Sequence, residues 1–174
     1  NIALLCNPLA GAGKAVMLAR ELGKELSGKQ IGHTLFIDDW PAALHGFTDA
    51  WKIGGDGTLN FFINHYYGSR LPLSVFKGGT GNDFHWLLYG DKTIEEQLEL
   101  ALSGTPRPVD LGKCNDSYFI NGVGIGFEGE VARALTGKKK RPGKASFMAT
   151  VIRKIFTFRC QHYVIRSDAY EVSG

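Results

Sequence analysis

Ile53-Gly54-Gly55-Asp56-Gly57-Thr58-Leu59-Asn60 is the stretch on which the reading of this chain turns. An apolar lead-in runs into two glycines, one acid, a third glycine, a hydroxyl and an amide. An apolar-rich run from Phe61 to Tyr67 follows. The pattern predicts a strand ending at Ile53, a tight glycine turn and a helix starting near Thr58. Glycine lets the backbone approach a bound group and adopt positive φ without steric cost, and free amides at a helix start attract anions. A lone carboxylate beside such amides opposes bare phosphate by charge, so the pattern implies a metal ion or a polar hydroxyl between the two. A nucleotide phosphate with Mg2+ is the economical combination.

In isolation Gly-Asp-Gly reads as a turn. Here two further glycine loops accompany it. Asn7-Pro8-Leu9-Ala10-Gly11-Ala12-Gly13-Lys14 follows the apolar run Ile2–Leu5, and Gly78-Gly79-Thr80-Gly81-Asn82-Asp83-Phe84 follows Leu73–Phe76. Three strand-like runs therefore each end in a glycine loop that leads into a helix-like segment. An open α/β sheet builds one site in this way, at the carboxyl edge of its strands. The first loop is not a Walker P-loop, because Pro8 and Ala15 stand where that motif needs Gly and Ser or Thr.

Outward from these loops the chain alternates strand and helix. Ala15, Val16, Leu18, Ala19, Leu22 and Leu26 recur at helical spacing up to Gly28; Gln30–Ile37 reads as a strand and Pro41–Phe47 as a short helix. Helices are also expected over Phe84–Tyr89 and Ile94–Leu102, the latter with Glu95, Glu96 and Glu99 towards solvent. Such alternation favours a parallel sheet. After Gly104 the punctuation changes. Pro106 and Pro108 break helix, and Val109–Gly112 and Ser117–Asn121 read as paired strands. Gly124-x-Gly126-x-x-Gly129 formally matches a dinucleotide fingerprint, but the acid expected about 20 residues on is replaced by Phe147, Met148 and Ala149. A glycine-rich turn between domains is the better reading, with a helix over Glu130–Leu135. Lys138-Lys139-Lys140-Arg141 reads as a solvated loop. Lys144–Arg159 is an amphipathic helix, apolar on one face and basic elsewhere, as in helices that lie on membranes or dock on their own domain. Tyr163–Val172 reads as strand. The expected architecture is an open, mostly parallel α/β sheet with flanking helices over residues 1–104, followed over 105–174 by the start of a second, β-rich domain.

The bounds from composition agree. The chain's 174 residues, 44% hydrophobic and 21% charged, suit one globular domain and the beginning of another. Cys6, Cys114 and Cys160 are odd in number and scattered, which argues against a disulfide framework or zinc site and fits a reducing cytoplasm. No apolar run reaches the roughly 18 residues of a membrane span. The net charge of +3 divides unevenly: residues 113–174 hold 11 Lys/Arg against 5 Asp/Glu, and residues 1–112 hold 9 against 12. The basic excess suits an anionic partner.

Asn7-Pro8 with Gly11 and Gly13, then Gly54–Asn60, then Gly79-Thr80-Gly81-Asn82-Asp83-Phe84, resemble the diacylglycerol kinase catalytic-domain family, which includes sphingosine, ceramide and bacterial lipid kinases. Val109–Lys113, Tyr118–Asn121 and Gly124–Phe127 follow in family order. Gly-Gly-Asp-Gly-Thr alone also occurs in NAD kinases; the Gly-Thr-Gly-Asn-Asp block points to the lipid kinases. The resemblance implies ATP held by Asn7, Pro8, Gly11, Gly13, Gly54, Gly55, Asp56, Gly57, Thr58 and Asn60, with Thr80, Gly81, Asn82 and Asp83 beside it. It implies Asp56 as the catalytic carboxylate, ordering Mg2+ and the γ-phosphate with Asp110 as partner. The implied reaction is phosphoryl transfer from ATP to the hydroxyl of a diacylglycerol- or sphingosine-like lipid.

Two departures qualify the match. The Thr that the family places at the end of its second strand is missing from Leu35-Phe36-Ile37, with only Thr34 nearby. The family's general base and the acids of its structural Mg2+ site have no matching motif here, although Asp168 and Glu171 are available carboxylates. Competing readings are an NAD kinase-like phosphotransferase and a catalytically silent nucleotide-binding module. The partners expected are a lipid substrate and an anionic membrane surface, on a cytoplasmic protein peripherally associated with membrane. Nucleic acid is not among them, and a homodimer is left open.

Overall fold

The computed structural model describes residues 1–135 and 144–173; the Lys138–Arg141 run lies outside them. Two compact units result, Asn1–Gly122 and a second beginning at Val123.

Four strands of the first unit, β1 (Ile2–Cys6), β2 (His33–Ile37), β3 (Asp49–Gly54) and β4 (Leu73–Lys77), form one parallel sheet in the order β2-β1-β3-β4. Every residue of β1 is buried, as are all but the first of β3. These two central strands are covered on both faces, which is why they read as unbroken apolar runs. Alternate side chains feed two cores. Ile2, Leu4, Cys6, Trp51 and Ile53 meet α1 (Lys14–Gly28) through Ala15, Leu18, Ala19, Leu22 and Leu26, and Leu98 of α4 (Ile94–Ser103) joins them. Ala3, Leu5 and Ala50 face Leu59, Phe62 and Ile63 of α2 (Asp56–His65) and Phe84 of α3 (Asp83–Tyr89). Thr93 and Glu96 close a capping box at the start of α4, each side chain accepting the other's backbone amide.

The expected fold class is the one observed. Several local expectations are not, among them the strand expected over Val109–Gly112, which forms instead at Gly112–Cys114 and leaves 109–111 irregular. Residues 41–47 form no helix: Gly46 takes φ +84°, Leu44 is buried, Phe47 packs edge-on against Phe36, and Tyr66 Oη donates to Pro41 O at 2.6 Å. Tertiary contacts hold the segment as a loop. Residues 163–172 are not one strand but a hairpin of β7 (Val164–Arg166) and β8 (Glu171–Ser173), turned where Ser167 Oγ accepts the amides of Ala169 and Tyr170.

A short hairpin, β5 (Gly112–Cys114) and β6 (Ser117–Phe119), belongs to the first unit. Asn64 of α2 pairs with the backbone of Tyr118, donating to its carbonyl at 2.9 Å and accepting its amide at 2.8 Å. Tyr67 and Tyr118 stack at 3.9 Å. In the second unit α5 (Phe127–Leu135) and α6 (Lys144–Thr157) are joined by a Lys154–Glu130 ion pair of 2.7 Å and an edge contact of Phe127 with Phe158. The Gly124–Gly129 stretch falls at the start of this unit, running into α5.

Candidate functional site

Strand order places the site. From β1 the chain crosses to β2 on one side, and β3 and β4 then build on the other. The sheet's direction of growth therefore reverses between β1 and β3, and ligands of open α/β sheets bind outside the carboxyl ends at such a point. The loops after β1, β3 and β4 meet there.

Backbone packs against backbone where they meet. A Cβ on Gly79 would run into the Cα of Gly55, and a Cβ on Gly11, which sits at φ +59°, would run into Gly78 O. Part of the glycine content thus serves loop-to-loop contact, a role separate from close approach to a ligand.

Side chains then tie the loops together. Asn7 Nδ2 donates to Thr58 Oγ1 at 3.0 Å, joining the first loop to α2, and Asn7 Oδ1 accepts the Leu9 amide at 3.0 Å. Asp56 joins the second loop to the third, its Oδ2 accepting the Asn82 amide at 2.8 Å and its Oδ1 the Phe84 amide at 3.1 Å. It is a remote cap for α3, satisfying amides that a helix start leaves open. Asn82, held at φ +65°, closes its own turn, with Oδ1 accepting from Gly79 N at 2.8 Å and Nδ2 donating to Gly79 O at 3.0 Å. The helix begins at Asp56 rather than near Thr58. The amides of Thr58 and Leu59 turn back to Gly55 O, while those of Asp56 and Gly57 have no protein acceptor among the described residues. Gly57 is exposed, and a Cβ there would meet nothing within 4 Å.

The residues named from the sequence are therefore largely brought together. Asn7, Gly11, Gly55, Asp56, Thr58 and Asn82 form the locked frame. Pro8, Gly13 and Gly54 lie within the same loops, and Gly57, Asn60, Thr80, Gly81 and Asp83 are exposed on or beside them. Thr34 is exposed on β2. Asp110 lies exposed in the irregular stretch ahead of β5, with no hydrogen bond or ion pair among the described residues. Glu171 is paired with Arg166 at 2.7 Å.

The amides and glycines fit a nucleotide's phosphates. The side chains do not by themselves make a site for Mg2+. Each oxygen of Asp56 accepts one amide and keeps a further lone pair, but the described residues contain no group of three or more His, Cys, Asp or Glu side chains arranged to hold a metal.

Two groups of the site lie outside the sequence motifs. Lys52, in the middle of β3, is 2% exposed, and its Nζ donates to Gly54 O at 2.7 Å. Burial pushes its ammonium down to about 8, with Asp56 acting in the opposite sense. His85 of α3 is buried, with Nε2 donating to Gln97 Oε1 at 2.8 Å and Nδ1 without a partner among the described residues. Burial lowers its pKa; Gln97 opposes that, and Lys77, Lys52 and Asp56 also act on it. A lysine inside the apolar run Ala50-Trp51-Lys52-Ile53 is the signal the sequence offers for the first of these. A cavity of about 530 Å3, lined by His45, Phe47, Tyr67 and Arg70 among others, opens at the opposite end of the sheet from the glycine loops.

Comparison with known proteins gives these loops a context. The profile of the diacylglycerol kinase catalytic domain matches residues 1–114. A protein of Staphylococcus carnosus named "Putative lipid kinase" is 33% identical over 144 residues, 80% of this chain and 47% of its own length. One of Shewanella frigidimarina named "Probable lipid kinase YegS-like" is 31% identical over 127 residues, 70% of this chain and 41% of its own. The chain thus spans about half the length, or less, of these curated relatives. A crystal structure of a diacylglycerol kinase from Bacillus anthracis superposes with a TM-score of 0.68 over 100% of this chain and 61% of that one. Its 23% identity makes this a likeness of fold.

Proposed function

The chain belongs to the diacylglycerol kinase catalytic-domain family, and on that premise we propose that it is the nucleotide-binding part of an ATP-dependent lipid kinase. The observation that carries this reading is the set of three glycine loops at the sheet's switch point, held in one frame by Asn7–Thr58 and by Asp56 with Asn82 and Phe84. In this reading Asn7–Gly13, Gly54–Asn60 and Thr80–Asp83 hold ATP. The amides of Asp56 and Gly57 take phosphate oxygens, as helix starts do. Asp56 contributes loop geometry and charge at the reacting end. In the reaction a lipid hydroxyl oxygen bonds to the γ-phosphorus, the bond from that phosphorus to the β,γ-bridging oxygen breaks, and the hydroxyl proton departs to a base. Such transfer depends mainly on positioning and electrostatic stabilisation. Residues 105 onward would begin the β-rich, lipid-binding domain, although its first hairpin, β5–β6, packs within the first compact unit through Asn64 and Tyr67.

The test is transfer of label from γ-labelled ATP, with diacylglycerol, sphingosine and NAD offered separately to the full-length protein. Label in a lipid extract supports the reading. Label in NAD points to an NAD kinase-like phosphotransferase, and nucleotide binding with no transfer to any acceptor points to a silent module.

Contact with anionic membrane is part of the same proposal. No described helix is long and apolar enough to cross a membrane. Phe147, Met148, Ile152, Ile155 and Phe156 of α6 are exposed, and Arg153 and Arg159 accompany them. Lys154 is engaged with Glu130 and is not free for lipid. Phosphatidylserine vesicles should bind the protein at low salt and release it as salt rises; binding that is absent at low salt, or indifferent to salt, would count against it.

A further inference from the structure

Taken alone, Asp56 is a negative charge at a site meant for phosphate. The surrounding charges change that balance. Lys52 and Gly54 lie two apart on one strand and so face the same way, and the Lys52 side chain climbs to the Gly54 carbonyl at the mouth of the second loop. That carbonyl also accepts the Gly78 amide at 3.0 Å, so the ammonium sits where β3 and β4 give way to the second and third loops. Of its three donors, one has a protein acceptor among the described residues. Lys77, opposite Gly54 in the β3–β4 register, adds a second cation at the rim and rests 5.7 Å from the centroid of Trp86. Asp56 acts on the Lys52 ammonium, and Lys52 and Lys77 both act on His85, whose charged form burial disfavours. A buried ammonium is costly unless something compensates it. An apolar side chain of similar length would fill the same space without that cost, so the lysine breaks the pattern of its strand at the site. Such breaks are expected at functional positions.

We propose that Lys52 is the built-in counter-cation of the phosphate cradle, offsetting Asp56 and fixing the Gly54 carbonyl so that the loops take up a nucleotide's phosphates without a bridging divalent cation. Lys52 is a positioning residue; it is buried beneath the loop and acts through the Gly54 carbonyl and through its field. The inference rests on the nucleotide reading above and reverses the charge argument drawn from Asp56 alone. On this view nucleotide binding itself needs no metal.

The experiment is calorimetric titration of the protein with ATP, once in EDTA and once in Mg2+, using wild type, Lys52→Met and Lys52→Gln. Lys52→Gln keeps a donor for Gly54 O and removes the charge. Wild type should bind in EDTA, and both variants should bind there at least tenfold more weakly, with the deficit narrowing in Mg2+. A purely structural role would weaken binding equally in both conditions. Circular dichroism checks each variant's fold, and either variant alone suffices for the comparison. Variants that match wild type in EDTA, or that lose as much affinity in Mg2+ as in EDTA, overturn the proposal. Wild type that binds only with Mg2+ also overturns it while leaving the nucleotide reading standing. No binding by wild type in either condition overturns the nucleotide reading, and this inference with it.

Discussion

Replacing Lys52 with methionine should make the first unit more stable at neutral pH. The magnitude follows from the ammonium's position. Burial lowers its pKa from the ordinary 10.5 to about 8, and a shift of that size is worth about 3 kcal/mol between the charged and neutral forms. Below pH 8 the lysine is charged in folded and unfolded chains alike, so the folded state bears the full cost. Between about 8 and 10.5 the unfolded chain binds more protons, and stability rises with pH. Above 10.5 the cost is gone. The methionine side chain would fill similar volume and carry no charge, and Gly54 O keeps the Gly78 amide as a partner, so no acceptor is orphaned. The expectation is a gain of about 1–3 kcal/mol at pH 7, part of the 3 being returned through the lost charged hydrogen bond.

Wild-type data alone would not isolate this effect. Burial raises the Cys6 thiol to about 11 and raises the phenols of Tyr66 and Tyr89, and each removes stability as pH climbs above the unfolded pKa. The quantity to measure is the difference between wild type and Lys52→Met, from urea denaturation at pH 7, 8, 9 and 10. Tryptophan fluorescence suits it, because all three tryptophans, Trp40, Trp51 and Trp86, lie in the first unit. The gap should shrink steadily above pH 8. A variant less stable than wild type at pH 7, or a gap constant to pH 10, would refute the reasoning.

Other substitutions test the frame itself. Asp56→Asn keeps one acceptor where two are used, because its amide nitrogen cannot accept from Asn82 or Phe84; about 1.5–3 kcal/mol should be lost, with faster hydrogen exchange at the amide left without an acceptor, and unchanged exchange at both would count against the staple. In a complete enzyme the same change should lower turnover by orders of magnitude, and near-normal turnover would remove Asp56 from the catalytic reading. Gly79→Ala forces a methyl into the Gly55 backbone and should cost about 2 kcal/mol or more. Gly57→Ala meets open space and should gain about 0.5–1 kcal/mol from helix propensity while weakening nucleotide binding. Equal melting shifts for the two glycine variants would show that loop contact is not what Gly79 provides.

Much of the first unit is legible in the sequence because its signals are local. Three apolar runs ending in glycine clusters mark strands, turns and helix starts without reference to anything distant, and all four strands appear near the expected places. The differences arise where distant contacts decide. Residues 41–47 have adequate helix formers, yet the anchoring of Leu44, Phe47 and Pro41 from elsewhere in the chain holds them as a loop. The alternation over 163–172 is visible in the sequence, but the turn that divides it depends on Ser167 reaching forward to two amides.

The site shows the same limit more sharply. From the sequence, Gly11 and Gly55 make room for a ligand, whereas the structure shows them also making room for Gly78 and Gly79. That depends on which loops meet, which depends on the strand order β2-β1-β3-β4. Asp56 reads as a charge facing a ligand, and both of its oxygens prove to hold the backbone of the third loop. A motif records which residue types a loop contains but not what already satisfies them. Lys52 carries a signal of the opposite kind, a charge where the strand pattern demands an apolar residue, and its meaning emerges only with the depth of its burial and the carbonyl it reaches. If the buried ammonium does offset Asp56, the net charge at a phosphate site cannot be read from the residues of its motif alone, because the compensating charge here stands two residues before the first glycine.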